Sequence, residues 1–112
     1  MSEEQDPQQM LMELQQTQQQ LQQVTVQKEE TESEINEAKK ALDRIEDAEG
    51  KVYDSVGSIM VEKDKDDLRE ELEKRIEDME VRRKSLAKKE SRLQDKMEDS
   101  RENLQGSMGG MG

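Results

Sequence analysis

The chain has no cysteine and no histidine, and Tyr53 is its only aromatic residue among 112. Without cysteine there is no disulfide framework and no thiolate nucleophile, a composition that suits a reducing cytosol. Without histidine the usual general base is missing, and so are the soft metal sites that imidazole and thiolate build. No apolar run approaches the length of a membrane span, and no signal-peptide pattern opens the sequence. The cytoplasm is accordingly the expected location. Hydrophobic residues make up 29% of the chain against 42% charged, with a mean hydropathy of −1.27. That balance borders on disorder and is too lean for a compact core.

What apolar residues there are fall at heptad spacing, and a helical seam needs only two apolar positions in seven. A first helix is expected over 7–49. Asp6 can cap it, Pro7 suits the first helical position, and Gln9 stands where a capping box places Glu or Gln. One frame then holds without a slip: Leu14, Leu21, Lys28, Ile35 and Leu42 in one row, Met10, Thr17, Val24, Thr31, Ala38 and Ile45 in the other. Lys28, Thr17 and Thr31 weaken the seam, and polar residues there often set register or partner. Gly50 ends the helix. A glutamine-rich tract, Gln15 to Gln27, overlaps its first half. Such composition also occurs in disordered stretches, but Leu14, Leu21 and Val24 keep the heptad beat, so it is read as helix.

A second helix is expected over 64–105, with Asp64 as its cap and acidic Asp66, Asp67 and Glu70 suited to the N-terminal dipole. Its stripe runs Leu68, Leu72, Ile76, Met79, Arg83, Leu86, Glu90, Leu93, Met97, Ser100 and Leu104, interrupted at Arg83 and Glu90. Residues 106–112, rich in Gly and Met, are expected to form a flexible tail.

Between the helices, over 51–63, lies the only stretch where β-propensity exceeds helical propensity. Val52, Tyr53, Val56, Ile59, Met60 and Val61 supply it, and Gly57 accepts the positive φ of a tight turn placed around Val56-Gly57. The expected fold class is mainly α: a long antiparallel coiled-coil hairpin of two helices joined by one β-hairpin. A lone two-stranded hairpin is marginal in water, and one this apolar exposes edges that invite partner strands. Helices of about 40 residues, roughly 60 Å long, also need each other. The chain reads as a subunit of an assembly.

No catalytic constellation is present. The carboxylates lie on helices facing water, with no pocket to perturb them. Asp64-Lys65-Asp66-Asp67 resembles the start of a calcium loop but lacks its glycine and its terminal glutamate, so capping is the better reading. No glycine loop cradles phosphate. The chain is therefore read as no enzyme, with no metal and no cofactor. Its net charge of −11 argues against nucleic acid as a main partner and signals solubility. A high-salt cytoplasm would screen such a surface, and acidic coiled coils occur elsewhere too. What remains are surfaces. In an antiparallel hairpin, Met10, Leu11, Met12 and Leu14 meet Met97, Leu104, Met108 and Met111 at one tip. Leu11 and Met12 fall off the seam, and methionine adapts to irregular partners. A tether gripping one specific partner is the alternative use of such a tip.

The order of these segments is similar to that of the beta-type subunit of archaeal prefoldin, a molecular chaperone also called the GimC complex. The resemblance covers nearly the whole chain. It rests on the Gln-rich first helix running into Val26-Gln27-Lys28, then Ile35-Asn36-Glu37 and Lys40-Ala41-Leu42. It continues through Val52-Tyr53, Gly57-Ser58-Ile59-Met60-Val61, Leu68 and Glu71-Leu72 to a charged helix with a Gly/Met tail. The resemblance implies that the hairpin, residues Val52, Tyr53, Val56, Gly57, Ile59, Met60 and Val61, joins an intersubunit β-barrel. It implies a hexamer of two alpha-type and four beta-type chains with coiled-coil tentacles. Alpha-type subunits carry a second hairpin, and this chain has sequence for one. It further implies capture of unfolded polypeptides without ATP and delivery to a group II chaperonin. Met10, Leu11, Met12, Leu14, Met97, Leu104 and Met108 are then the client-contact positions. Chaperonin docking falls on the second helix beyond roughly Lys88.

Overall fold

The structure, a computed structural model, describes residues 6–109, the side chains of 108 and 109 excepted. Its elements are α1 (Pro7–Asp47), β1 (Val52–Val56), β2 (Ile59–Lys63) and α2 (Lys65–Gly109). The fold is mainly α, two long helices joined by one antiparallel hairpin. It falls into two compact units: residues 29–84, and the α1 residues up to Lys28 together with the α2 residues from Ser85 on.

Local signals start both helices. The Asp6 carboxylate accepts the Gln8 amide at 3.2 Å, and the Asp6 carbonyl accepts the Met10 amide at 3.0 Å, which satisfies donors at the helix end. Asp64 sits just before α2, its carbonyl accepting the Leu68 amide at 3.0 Å. The first helix stops at Asp47, short of the expected 49. There the Ala48 amide bonds back to the Ile45 carbonyl at 3.2 Å, a tightened last turn. At its far end α2 passes through Gly106 to Gly109, where the sequence suggested a tail from 106. A single helical glycine costs only about 1 kcal/mol relative to alanine, too little to end a long helix. Residues 110–112, including Met111, lie outside the described residues.

The unit of residues 29–84 holds the better core. Ile35, Ala38 and Met79 are buried together, with Leu72 and Ile76 against them. Nearer the strands, Ile45, Val52 and Leu68 form a second cluster that Ala48 and Leu72 complete. α1 numbers rise as α2 numbers fall, so the helices run antiparallel. Fully burying side chains of this size contributes about 1.5–3 kcal/mol each. In the other unit the seam is thinner: Thr17 and Val24 are buried, while Met10, Leu14, Leu21, Leu93, Met97 and Leu104 are half-buried. Every position of both expected seams is buried or half-buried. Thr17 and Thr31 rank among the most buried side chains, although hydropathy marks them as weak points. Threonine is compact, and its hydroxyl can bond a carbonyl one turn back, so it tolerates a close helix contact.

In the hairpin, β1 and β2 pair antiparallel with Val52 opposite Lys63, Tyr53 opposite Glu62, Asp54 opposite Val61, Ser55 opposite Met60 and Val56 opposite Ile59. The turn therefore centres on Gly57-Ser58, one residue later than the sequence suggested. Gly57 has φ +63° and Ser58 does not share the positive φ, which is the signature of a type II′ turn. That turn needs glycine first, so Gly57 moves Val56 into β1 and Ser58 out of β2.

Candidate functional site

Strand alternation divides the hairpin into two faces. Val52, Asp54, Val56, Ile59, Val61 and Lys63 share one; Tyr53, Ser55, Met60 and Glu62 share the other. Val52 turns inward at 8% exposure onto Ile45 and Leu68 and anchors the hairpin to the helices. The other apolar side chains have no such cover. Ile59 is 64% exposed and Met60 65%, and Tyr53, Val56 and Val61 are exposed as well. The sheet has two strands, so each keeps an edge of unpaired backbone groups. Exposed apolar surface on both faces, next to open edges, is what a strand awaiting other strands presents.

Two lysines fasten the elements around this surface, Lys63 from β2 to α2 and Lys65 from α2 to the end of α1. Lys63 donates to Glu71 Oε2 at 2.7 Å and lies 3.3 Å from Asp54 Oδ2. The hydrogen bond to Glu71 chiefly holds its ammonium above the ordinary 10.5; desolvation works against this, and the weaker influence of Asp54 supports it. The group is thus fully charged at neutral pH, and the contribution of a raised pKa fades only as pH climbs through it. Lys65 Nζ donates to the carbonyls of Glu46 at 3.2 Å and Ala48 at 3.1 Å, satisfying acceptors that the end of α1 leaves open. Sequence reasoning placed neither lysine; the contacts span turns that only the folded chain brings together. In the Asp64–Asp67 run, Asp66 Oδ1 accepts from Arg69 Nη1 at 3.2 Å.

The second set of expected contacts lies in the unit of α1 up to Lys28 and α2 from Ser85. Leu11 is 45% exposed and Met12 59%, off the seam as their spacing from Met10 requires. Met10, Leu14, Met97 and Leu104 are half-buried seam residues. Met108 lies on the described helical backbone, but its side chain is outside the description.

The same unit contains a polar layer. Lys28 Nζ donates to Glu90 Oε1 at 2.8 Å, and Thr25 Oγ1 donates to Glu90 Oε2 at 2.8 Å. Lys28 and Glu90 read singly as breaks in two seams. Opposite charge at both breaks was the available signal that they face each other. The bond from Lys28 first, then that from Thr25, holds the Glu90 carboxyl below its ordinary 4.5. A lowered folded pKa stabilises fully above the unfolded value and less as pH falls through the folded one. Lys28→Leu alone should destabilise the chain by about 1 kcal/mol, since Glu90 loses its main donor. Lys28→Leu with Glu90→Leu should instead gain about 1 kcal/mol, as apolar replacements of such pairs often do. Thermal melts of both variants check the signs, and the double variant should lose less stability than the parent between about pH 5 and 3.

Comparison with known proteins separates a generic coiled coil from an assembly subunit. The prefoldin subunit family matches residues 8–110. The chain belongs to the prefoldin subunit family. Among solved structures it is similar to the prefoldin beta subunit from Thermococcus strain KS-1, with 40% sequence identity, 90% of each chain covered and a TM-score of 0.80. No curated protein matches it. Prefoldin is a chaperone family, so this chain is a chaperone subunit that assembles with other prefoldin subunits. Its beta-type resemblance, read from the single hairpin, agrees with the solved relative. No helix among the described residues is long and apolar enough to cross a membrane.

Proposed function

We propose that this chain is the beta-type subunit of a cytoplasmic, ATP-independent chaperone that holds unfolded polypeptides and passes them to a group II chaperonin. The observation that carries the reading is where apolar surface is left uncovered. The hairpin leaves Tyr53, Val56, Ile59, Met60 and Val61 exposed, and the start of α1 leaves Leu11 and Met12 exposed. The first patch suits a permanent assembly, because strand edges and apolar faces are satisfied together when hairpins close a barrel. Two alpha-type and four beta-type chains then form the hexamer. The second patch suits transient capture. Several weak, adaptable contacts on separate arms bind through avidity, while each releases quickly. Met10, Leu14, Met97, Leu104 and Met108 complete that client surface, and α2 beyond roughly Lys88 carries the chaperonin contact.

The test is the native mass of the chain with and without an alpha-type prefoldin subunit, followed by an aggregation assay without ATP. A discrete mixed hexamer that keeps a denatured client soluble supports the reading. A dimer indifferent to the alpha chain and to clients would leave a structural tether with one specific partner.

A further inference from the structure

A cationic stripe runs along α2 in a chain whose net charge is −11. Lys88, Lys89, Arg92 and Lys96 are all exposed. None of the four makes an ion pair among the described residues. Between Ser85 and Met97 the only carboxylates are Glu90 and Asp95, and Glu90 is bonded to Lys28. Lys88, Arg92 and Lys96 follow one another at i,i+4 spacing, where like charges repel along a helix. Elsewhere in α2 that spacing carries opposite charges, as at Glu70–Lys74 and Glu71–Arg75, and acidic pairs, as at Asp66–Glu70 and Glu73–Glu77, but no other run of three cations.

Alongside Arg92 and Lys96 the neighbouring helix brings no charge of its own. The bonds from Thr25 and Lys28 to Glu90 put this part of α1 beside the stripe. From Leu14 to Gln27, α1 has no charged side chain at all; glutamines occupy its outer faces. A self-repelling row of cations beside a neutral amide surface gains from an anionic partner, and the carboxylates one turn along α2, Asp95 and Asp99, form no ion pair with it among the described residues. Glutamine amides add donors and acceptors for an extended backbone. Leu93 and Met97, half-buried in the same stretch, offer adjoining apolar contact.

We infer that Lys88, Lys89, Arg92 and Lys96 form a binding surface for acidic segments of unfolded client polypeptides. The inference rests on the client-holding reading above and gives it a selectivity. An acidic client is repelled by most of this chain's surface and is drawn to this one stretch. Four cations on a strongly acidic chain are poorly matched to nucleic acid, whose phosphates would meet repulsion on every other side.

The experiment uses the assembled complex with alpha-type subunits. Its beta chains are parental or carry Lys88→Gln, Lys89→Gln, Arg92→Gln and Lys96→Gln, which keeps helix propensity. Native mass and far-ultraviolet circular dichroism establish that the variant assembles and folds. Binding of two permanently unfolded, fluorescently labelled polypeptides of equal length and apolar content, one acidic and one neutral, is followed by anisotropy at low and high salt. The glutamine variant should bind the acidic polypeptide about tenfold more weakly at low salt, the low end of electrostatic steering, and the neutral one unchanged. Equal loss for both polypeptides, or no loss for either, overturns the inference. So does a parental complex that binds a folded acidic protein, or a single-stranded oligonucleotide, more tightly than the acidic polypeptide. A parental complex that binds neither polypeptide fails at the earlier step and overturns client holding itself.

Discussion

Ile59→Glu with Met60→Glu should leave the two helices paired and stop the chain from entering a hexamer. Ile59 and Met60 are consecutive in β2, so their side chains lie on opposite faces of the hairpin, at 64% and 65% exposure. Neither belongs to the clusters that hold the chain together, which are built on Ile35, Ala38 and Met79 and on Ile45, Val52 and Leu68. Substitutions at such positions change the stability of an isolated chain by about 0.5 kcal/mol or less. In a closed barrel one face turns inward, so one of the two carboxylates becomes a buried charge without a partner, which costs several kcal/mol. Mixing with an alpha-type subunit should then yield low-mass species where the parental chain gives a hexamer, with unchanged helical circular dichroism. An intact hexamer of parental mass would mean that the hairpin is not the assembly element.

Leu11→Ser with Met12→Ser should abolish protection of an aggregating client while the hexamer stays intact. Both residues are exposed and lie off the seam, so polar replacements cost the helix pair little. Their neighbours Met10 and Leu14 are half-buried seam residues, and removing them would confuse lost contact with lost packing. Covering a Leu or Met side chain contributes about 1.5–3 kcal/mol when burial is complete. Even partial cover therefore amounts to about tenfold per arm, and simultaneous engagement of several arms multiplies the loss. Light scattering of a chemically denatured client diluted into parental or variant complex reads the effect directly. Full protection by the variant at the same concentration would move the client surface elsewhere in the molecule.

Much of this architecture is legible residue by residue. The heptad rows predict which side chains turn inward, because a 3.6-residue period leaves one stripe for the partner helix. Lys28 and Glu90 occupy that stripe as predicted, yet the ion pair between them was not evident. Periodicity says which face a residue takes, but not which residue of the other helix stands opposite. The hairpin's existence follows from its β-branched residues and Gly57, whereas its turn shifted by one residue. Turn position depends on the φ of both central residues, and only Gly57 took the positive value.

Of the candidate surfaces, the exposure of Leu11 and Met12 could be anticipated from spacing alone. The inward turn of Val52 could not, because alternation assigns it a face and leaves open which face meets the helices. The sequence by itself determined the elements, their seams and the lean core that obliges this chain to find partners. These are local properties, set by period, propensity and composition. Tertiary structure decided which charges meet across the helices, that Lys63 ties the hairpin to α2 while Lys65 ties α2 to the end of α1, and that Lys88, Lys89, Arg92 and Lys96 make no ion pair among the described residues. Such contacts join residues far apart in the chain, and their distances exist only once the backbone has closed on itself.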